Sequence, residues 1–231
     1  MVKPEVKLTP EQENFFSVRR SWASGLADAD KQKTIVENVL IPNLYCSPHF
    51  EWMVEDAMCQ AGFPREALAR MKTRYASQVA RKEITTLYEN FPAGGSYNHA
   101  WNAPNTVLSK YIAGIAPTKV GWSEFEVMPH LVDMTAVKQL VPSVKGNIVA
   151  DIRRIDGSYQ LDLTAPAQTI AVVGIPKALG KIGQIKVNGT VVWSDGTFVK
   201  GASSVMPVAE DAEFVKFRVP AGAWKIAASF D

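Results

Sequence analysis

Apolar residues in the first half of this chain recur at intervals of three and four, and near Ala116-Pro117 that rhythm gives way to strict alternation. Phe15, Phe16, Val18, Trp22 and Leu26 form a helical stripe within residues 10–27. Asp30 is placed to cap a short segment containing Ile35, Val36, Val39 and Leu40, which Pro42 stops. Ser47-Pro48 predicts a helix start, with Ser at the cap, Pro at the first position and Glu51 in the first turn. Phe50, Val54, Ala57, Met58 and Ala61 continue that helix, and Gly62 ends it as a left-handed cap. Pro64 opens the next, where Ala67, Leu68, Met71, Tyr75 and Val79 share one face. Residues 103–113 read as a last helix, closed by Gly114. Trp22, Trp52 and Phe63 interrupt these stripes, which predicts burial on more than one side and a larger helical assembly.

In the second half, alternation runs through Ile148, Ala150 and Ile152, through Tyr159, Leu161 and Leu163, and through Ile170, Val172 and Gly174. Asn188-Gly189, between Gln184–Val187 and Thr190–Trp193, specifies a two-residue hairpin because both turn positions need positive φ. Strands over Glu213–Val219 and Trp224–Phe230 are expected, separated by Pro220-Ala221-Gly222. About eight to ten short strands without an intervening helix predict an antiparallel β-sandwich. The fold class expected is therefore α+β in two domains, with helices in residues 1–116 and the sandwich in residues 117–231.

Composition narrows the function. At 47% hydrophobic residues the chain is globular rather than disordered. A net charge of +2, with no basic block, gives no footprint for nucleic acid or an anionic membrane. No apolar run approaches the roughly 20 residues of a membrane helix. Met1–Glu5 lacks a signal peptide's apolar core, which leaves the compartment open. Cys46 and Cys59 form no CxxC pair and lie outside metal-ligand spacing, so buried thiols are expected. His49 and His130 have no partner pattern, and neither a metal nor a cofactor is read.

The candidate chemistry lies between the helices. Thr85-Thr86-Leu87-Tyr88-Glu89 is followed by Tyr97-Asn98-His99-Ala100-Trp101, with Pro92, Gly94 and Gly95 breaking any helix between them. A carboxylate and an imidazole flanked by aromatic rings can wall a sugar site. Rings stack on C–H faces while the polar groups bond hydroxyls or activate water. Each residue also has a plainer role. Glu89 could be a solvated loop carboxylate, His99 could brace the loop backbone, Asn98 could hold its turn, and Tyr88 and Trp101 could be core edges. Glu55 and Asp56 diverge by about 100° on one helix and cannot both face a cleft.

Taken in order, Ser47-Pro48-His49-Phe50-Glu51-Trp52, Ala61–Leu68, Thr85–Glu89, Ser96–Trp101, Gly114–Pro117 and Phe125–Pro129 resemble the C-terminal portion of bacterial α-L-rhamnosidases of glycoside hydrolase family 78. The resemblance covers about residues 10–165. It implies inverting hydrolysis of a rhamnose-containing glycan or glycoside on a six-hairpin (α/α) toroid, of which about five helices are present here. It implies Glu89 as the general base, in a Thr-Thr-aromatic-Glu motif, and His99, beside Asn98, as a sugar contact; Tyr88 and Trp101 are candidate platforms. The family has Trp where Tyr88 stands, and a polar residue then Trp where Asn90-Phe91 stand. The acidic motif bearing the general acid has no counterpart, so the chain is expected to be a fragment, inactive alone. An incomplete toroid also predicts self-association through an exposed helical face. Two other readings remain open: a noncatalytic carbohydrate-binding module, and a toroid glycosidase acting on another sugar.

Overall fold

The computed structural model describes residues 9–10, 29–82, 86–92, 94–95, 103–155, 157–201 and 205–231. The stripe predicted over residues 10–27 lies almost wholly outside them. The chain divides into two compact units, Met1–Val107 and Leu108–Asp231.

Among the described residues the first unit is helical. Helix α1 (Ala29–Ile35) runs into a π-helical turn, Val36–Leu40, which buries Val36 and Leu40. Asp30 lies inside α1 rather than capping it. Helix α2 (Pro48–Gln60) begins as expected, with Pro48 in the first turn, but Ser47 caps through its backbone alone. Its carbonyl accepts from the amides of Phe50 and Glu51. At the other end, the Phe63 amide donates to Met58 and the Gly62 amide to Cys59. That is the paired-bond termination for which a residue at positive φ is needed, and Gly62 sits at φ 87°. Helix α3 (Pro64–Val79) buries Ala67, Leu68, Met71 and Tyr75, while Val79 is 72% exposed and ends the buried stripe one residue early. Gln78 takes that place. Helix α4 (Ala103–Val107) is short.

Polar groups are buried among these helices too. Glu51 is fully buried and accepts two hydrogen bonds from Arg70, the longer at 3.2 Å. The same guanidinium donates to the carbonyls of Leu40 and Asn43, both at 2.7 Å. Arg74 donates to the carbonyls of Leu44 and Cys46 and lies 3.5 Å from Glu51. The connection between α1 and α2 is thus pinned by two arginines of α3, whose charged N–H groups satisfy its carbonyls. Cys46 and Cys59 are both buried thiols.

The second unit begins with a π-helical turn, Leu108–Ile112, and among its described residues holds ten strands. They are β1 (Ile115–Pro117), β2 (Glu124–Val127), β3 (Ala136–Ser143), β4 (Gly146–Ile155), β5 (Ser158–Pro176), β6 (Ile182–Val187), β7 (Thr190–Ser194), β8 (Thr197–Phe198), β9 (Met206–Val208) and β10 (Phe214–Phe230). All belong to one hydrogen-bonded sheet whose main path runs β1-β2-β5-β10-β6-β7-β8, with β3 and β4 branching from β5 and β9 from β10. Every pairing is antiparallel except that of β2 with β5.

Strands β5 and β10 run side by side for most of their lengths, and their register breaks where Gly222 opposes Ala165 and Pro220 opposes Ile170. Residues 166–169 bulge out there, with Gln168 at φ 61° and the Thr169 hydroxyl donating to Pro166. Before the bulge β5 pairs with β4, and after it with β2. The inward residues of both stretches, among them Tyr159, Leu161, Val173, Ile175, Phe217 and Ile226, join one buried cluster. One long bent ribbon therefore lines a common core. The pairs read as separate strands, at 159–163 and 170–174 and at 213–219 and 224–230, are in each case one strand crossing a bulge.

Candidate functional site

The C-terminal half of α3 carries a row of side chains that holds the loop bearing Glu89. Gln78, 2% exposed, accepts from the Tyr88 amide at 2.9 Å and donates to the Asn90 carbonyl at 3.3 Å. One amide side chain thereby clasps the backbone on both sides of Glu89. Ser77 donates to the Pro92 carbonyl at 2.9 Å. Phe91 packs edge-on against Tyr75, with ring centroids 5.0 Å apart, and the Arg74 guanidinium lies over its face at 4.0 Å. Arg81 lies 5.7 Å over the Tyr88 ring. The loop closes on itself where the Asn90 amide donates to the Gly94 carbonyl at 3.0 Å.

Gly95 completes the enclosure. At φ 77°, it brings backbone so close to Glu89 that a Cβ there would fall 2.9 Å from Glu89 Oε2 and 2.7 Å from Asn90 Nδ2. Glu89 and Tyr88 are both half-buried. A half-buried carboxylate on a loop anchored at both flanks can accept a hydrogen bond from water or a hydroxyl in a fixed direction. Asn98, His99 and Trp101 lie outside the described residues, so of the predicted site residues Glu89 and Tyr88 alone are placed.

Gln78, the residue that holds the loop, is not among the predicted site residues. Its signal was a polar amide three residues after Tyr75 on an otherwise apolar face. Glu55, set aside from the sequence because it diverges from Asp56, is fully buried, with neither carboxylate oxygen finding a hydrogen-bond partner among the described residues. Burial, reinforced by the neighbouring Glu51 charge and opposed by Arg70 and Arg74, pushes its acid up to about 9. Tyr75 beside it is likewise raised by burial, then by Glu55 and Glu51. A carboxyl group sealed from solvent cannot hand a proton to a sugar oxygen outside the core, so Glu55 is no substitute for a general acid.

Residues 114–189 match the family described as the bacterial alpha-L-rhamnosidase C-terminal domain. Among curated proteins none matches the sequence. Among solved structures, an α-L-rhamnosidase from Dictyoglumus thermophilum superposes with a TM-score of 0.73 at 18% identity, over 96% of this chain and 25% of that one. The Streptomyces avermitilis α-L-rhamnosidase complexed with L-rhamnose gives 0.70 at 16% identity, over 98% of this chain and 22% of that one. A family 78 rhamnosidase from Bacillus sp. GL1 gives 0.59 at 20% identity, over 69% of this chain and 18% of that one. The chain thus spans about a quarter of the length of the first two enzymes, and at these identities the likeness is one of fold. By its matched domain and its fold, the chain resembles the C-terminal part of a bacterial α-L-rhamnosidase of glycoside hydrolase family 78.

Proposed function

We propose that this chain is the C-terminal part of an inverting glycoside hydrolase of the α-L-rhamnosidase kind, in which Glu89 is the general base. The carrying observation is the clasp of Gln78 on the backbone either side of Glu89, in a chain whose fold follows rhamnosidases over 96–98% of its length. Inversion needs one carboxyl group to protonate the leaving oxygen and another, about 6.5–9.5 Å away, to deprotonate the attacking water. Glu89 supplies the second of these. Its loop is fixed before substrate arrives, so the carboxylate loses little freedom on aligning the water.

In this reading the described helices are the closing hairpins of an (α/α) toroid, and Tyr88, Asn98, His99 and Trp101 line one wall of the sugar site. The general acid and the other wall come from the rest of the toroid, so the chain alone is inert. The substrate is a rhamnose-containing glycan or glycoside, a class supported by the L-rhamnose in the Streptomyces enzyme's complex.

Two measurements test this. The purified chain should release no rhamnose from an aryl rhamnoside. In the complete enzyme, Glu89→Gln should lower kcat by about 10²–10⁴-fold, the usual share of a general base, with KM changed far less. Turnover within about tenfold of the parent would remove Glu89 from the mechanism.

A further inference from the structure

The second unit holds a cavity of about 640 Å³, remote in function from the Glu89 loop, between the β5–β6 connection and the end of β7. Trp193 and Val215 line its inner part, 6% and 1% exposed. The Trp193 ring is held edge-on by Phe198 at 4.9 Å, which fixes its orientation. Its indole N–H is buried and has no acceptor among the described residues. A buried donor without a partner is costly to leave in a fold and calls for an explanation, of which an absent ligand is one.

The rim differs in character. Lys177 pairs with Glu210 at 2.5 Å and Lys181 with Asp231 at 3.5 Å. Asp195 joins them from the turn after β7, at φ 52° with Gly196 at φ 78°. Gly183 opens the wall between them: a Cβ there would meet Asp231 Oδ1 at 2.7 Å. Two lysines set against three carboxylates give no surplus of positive charge, which disfavours phosphate, sulfate or an acidic peptide. What remains is a mixed ring of donors and acceptors over an aromatic and aliphatic floor, in a volume typical of small-ligand sites. A pyranose matches that pattern, with C–H groups for the floor and hydroxyls that both donate and accept for the rim.

We propose that this cavity is a saccharide-binding site, separate from the one to which Glu89 belongs and independent of the role assigned to Glu89. It would hold a neutral sugar residue of a glycan, with a sugar oxygen accepting from the Trp193 indole and hydroxyls meeting Asp195 and Glu210.

The Trp193 indole N–H reports directly on occupancy. Titration of the ¹⁵N-labelled full chain with L-rhamnose, D-glucose and D-galactose, each to about 100 mM, should shift that resonance saturably with at least one sugar. Trp193→Phe identifies the signal. Because that change touches the core, the rim variants Asp195→Ala and Glu210→Gln carry the test: each should weaken binding about fivefold or more with the fold intact. Glu89→Gln should leave the titration unchanged, which separates this site from the catalytic reading. A resonance unmoved by every sugar, moved equally by sodium sulfate, or moved as strongly in both rim variants would overturn the proposal.

Discussion

Glu55 shows how a single side chain can bias a helical unit. Its folded acid is raised to about 9 from 4.5 because burial penalises the charged form and Glu51 adds like charge. The folded protein therefore retains a proton that the unfolded chain releases across the window from 4.5 to about 9. Stability from this group is complete below the lower value, falls as pH rises through the window, and is spent above the upper one. The slope is on the order of 1 kcal/mol per pH unit. Denaturant unfolding of the chain and of Glu55→Gln from pH 5 to pH 10 checks this (a range of about five units). The parent should lose stability with pH more steeply than the variant by about one proton's worth, with the difference levelling off near the top. Parallel profiles would show that Glu55 is ionised in its pocket. The arginines nearby do not prevent this, since Arg70 is committed to Glu51 and two carbonyls and, among the described residues, neither oxygen of Glu55 receives a bond.

Among the elements, the tightest joint of the second unit lies where the end of the π-helical turn meets β2. Gly114, at φ 72°, accepts from the Met128 amide at 2.9 Å, and a Cβ there would lie 2.1 Å from the Met128 carbonyl carbon. Backbone cannot swing aside as a flexible side chain can. Gly114→Ala should therefore cost roughly 2–4 kcal/mol, read as a lowered denaturant midpoint with unchanged slope, whereas Gly189→Ala, with open space around it, should cost only its φ strain of about 1 kcal/mol. Equal losses in the two variants would place the cost in φ alone. Elements defined by local chemistry were legible in the sequence: Pro48 and Gly62 bound their helix, and Asn188-Gly189 turns its hairpin at φ 49° and 83°. Asn188 also accepts from the Lys225 amide at 2.8 Å, a long-range bond that no local pattern announces. Pro220 and Gly222 break strands by local rules, yet β10 runs through them because β5 bulges in compensation. The parallel pairing of β2 with β5 was hidden for the same reason, since partner choice is settled by the sheet rather than by the strand. In the candidate site, Glu89 stood out by its motif, while the clasp of Gln78 depends on a turn of chain that only folding brings to α3.

For the whole molecule, the decisive question is what covers the helical unit. Ile41, Leu44, Tyr45 and Phe50 fall within ten residues of one another and are 36–41% exposed. Ile41, Leu44 and Tyr45 lie on the connection that Arg70 and Arg74 pin in place, and Phe50 in the first turn of α2, so these apolar groups are held outward rather than left to fold under. Exposed apolar groups gathered this closely along the chain are candidates for a contact surface. If the unit is the closing part of a toroid, its missing hairpins are the natural cover, and the isolated chain should use a second copy instead. Light scattering behind gel filtration, from about 1 to about 200 μM, should show mass rising with concentration. Leu44→Lys and Ile41→Lys, each a charge placed where an apolar neighbour would dock, should return the chain to a monomer without lowering its unfolding midpoint. A chain that stays monomeric across that range would mean the unit is closed by its own residues, and the reading of it as part of a larger ring would fail with it.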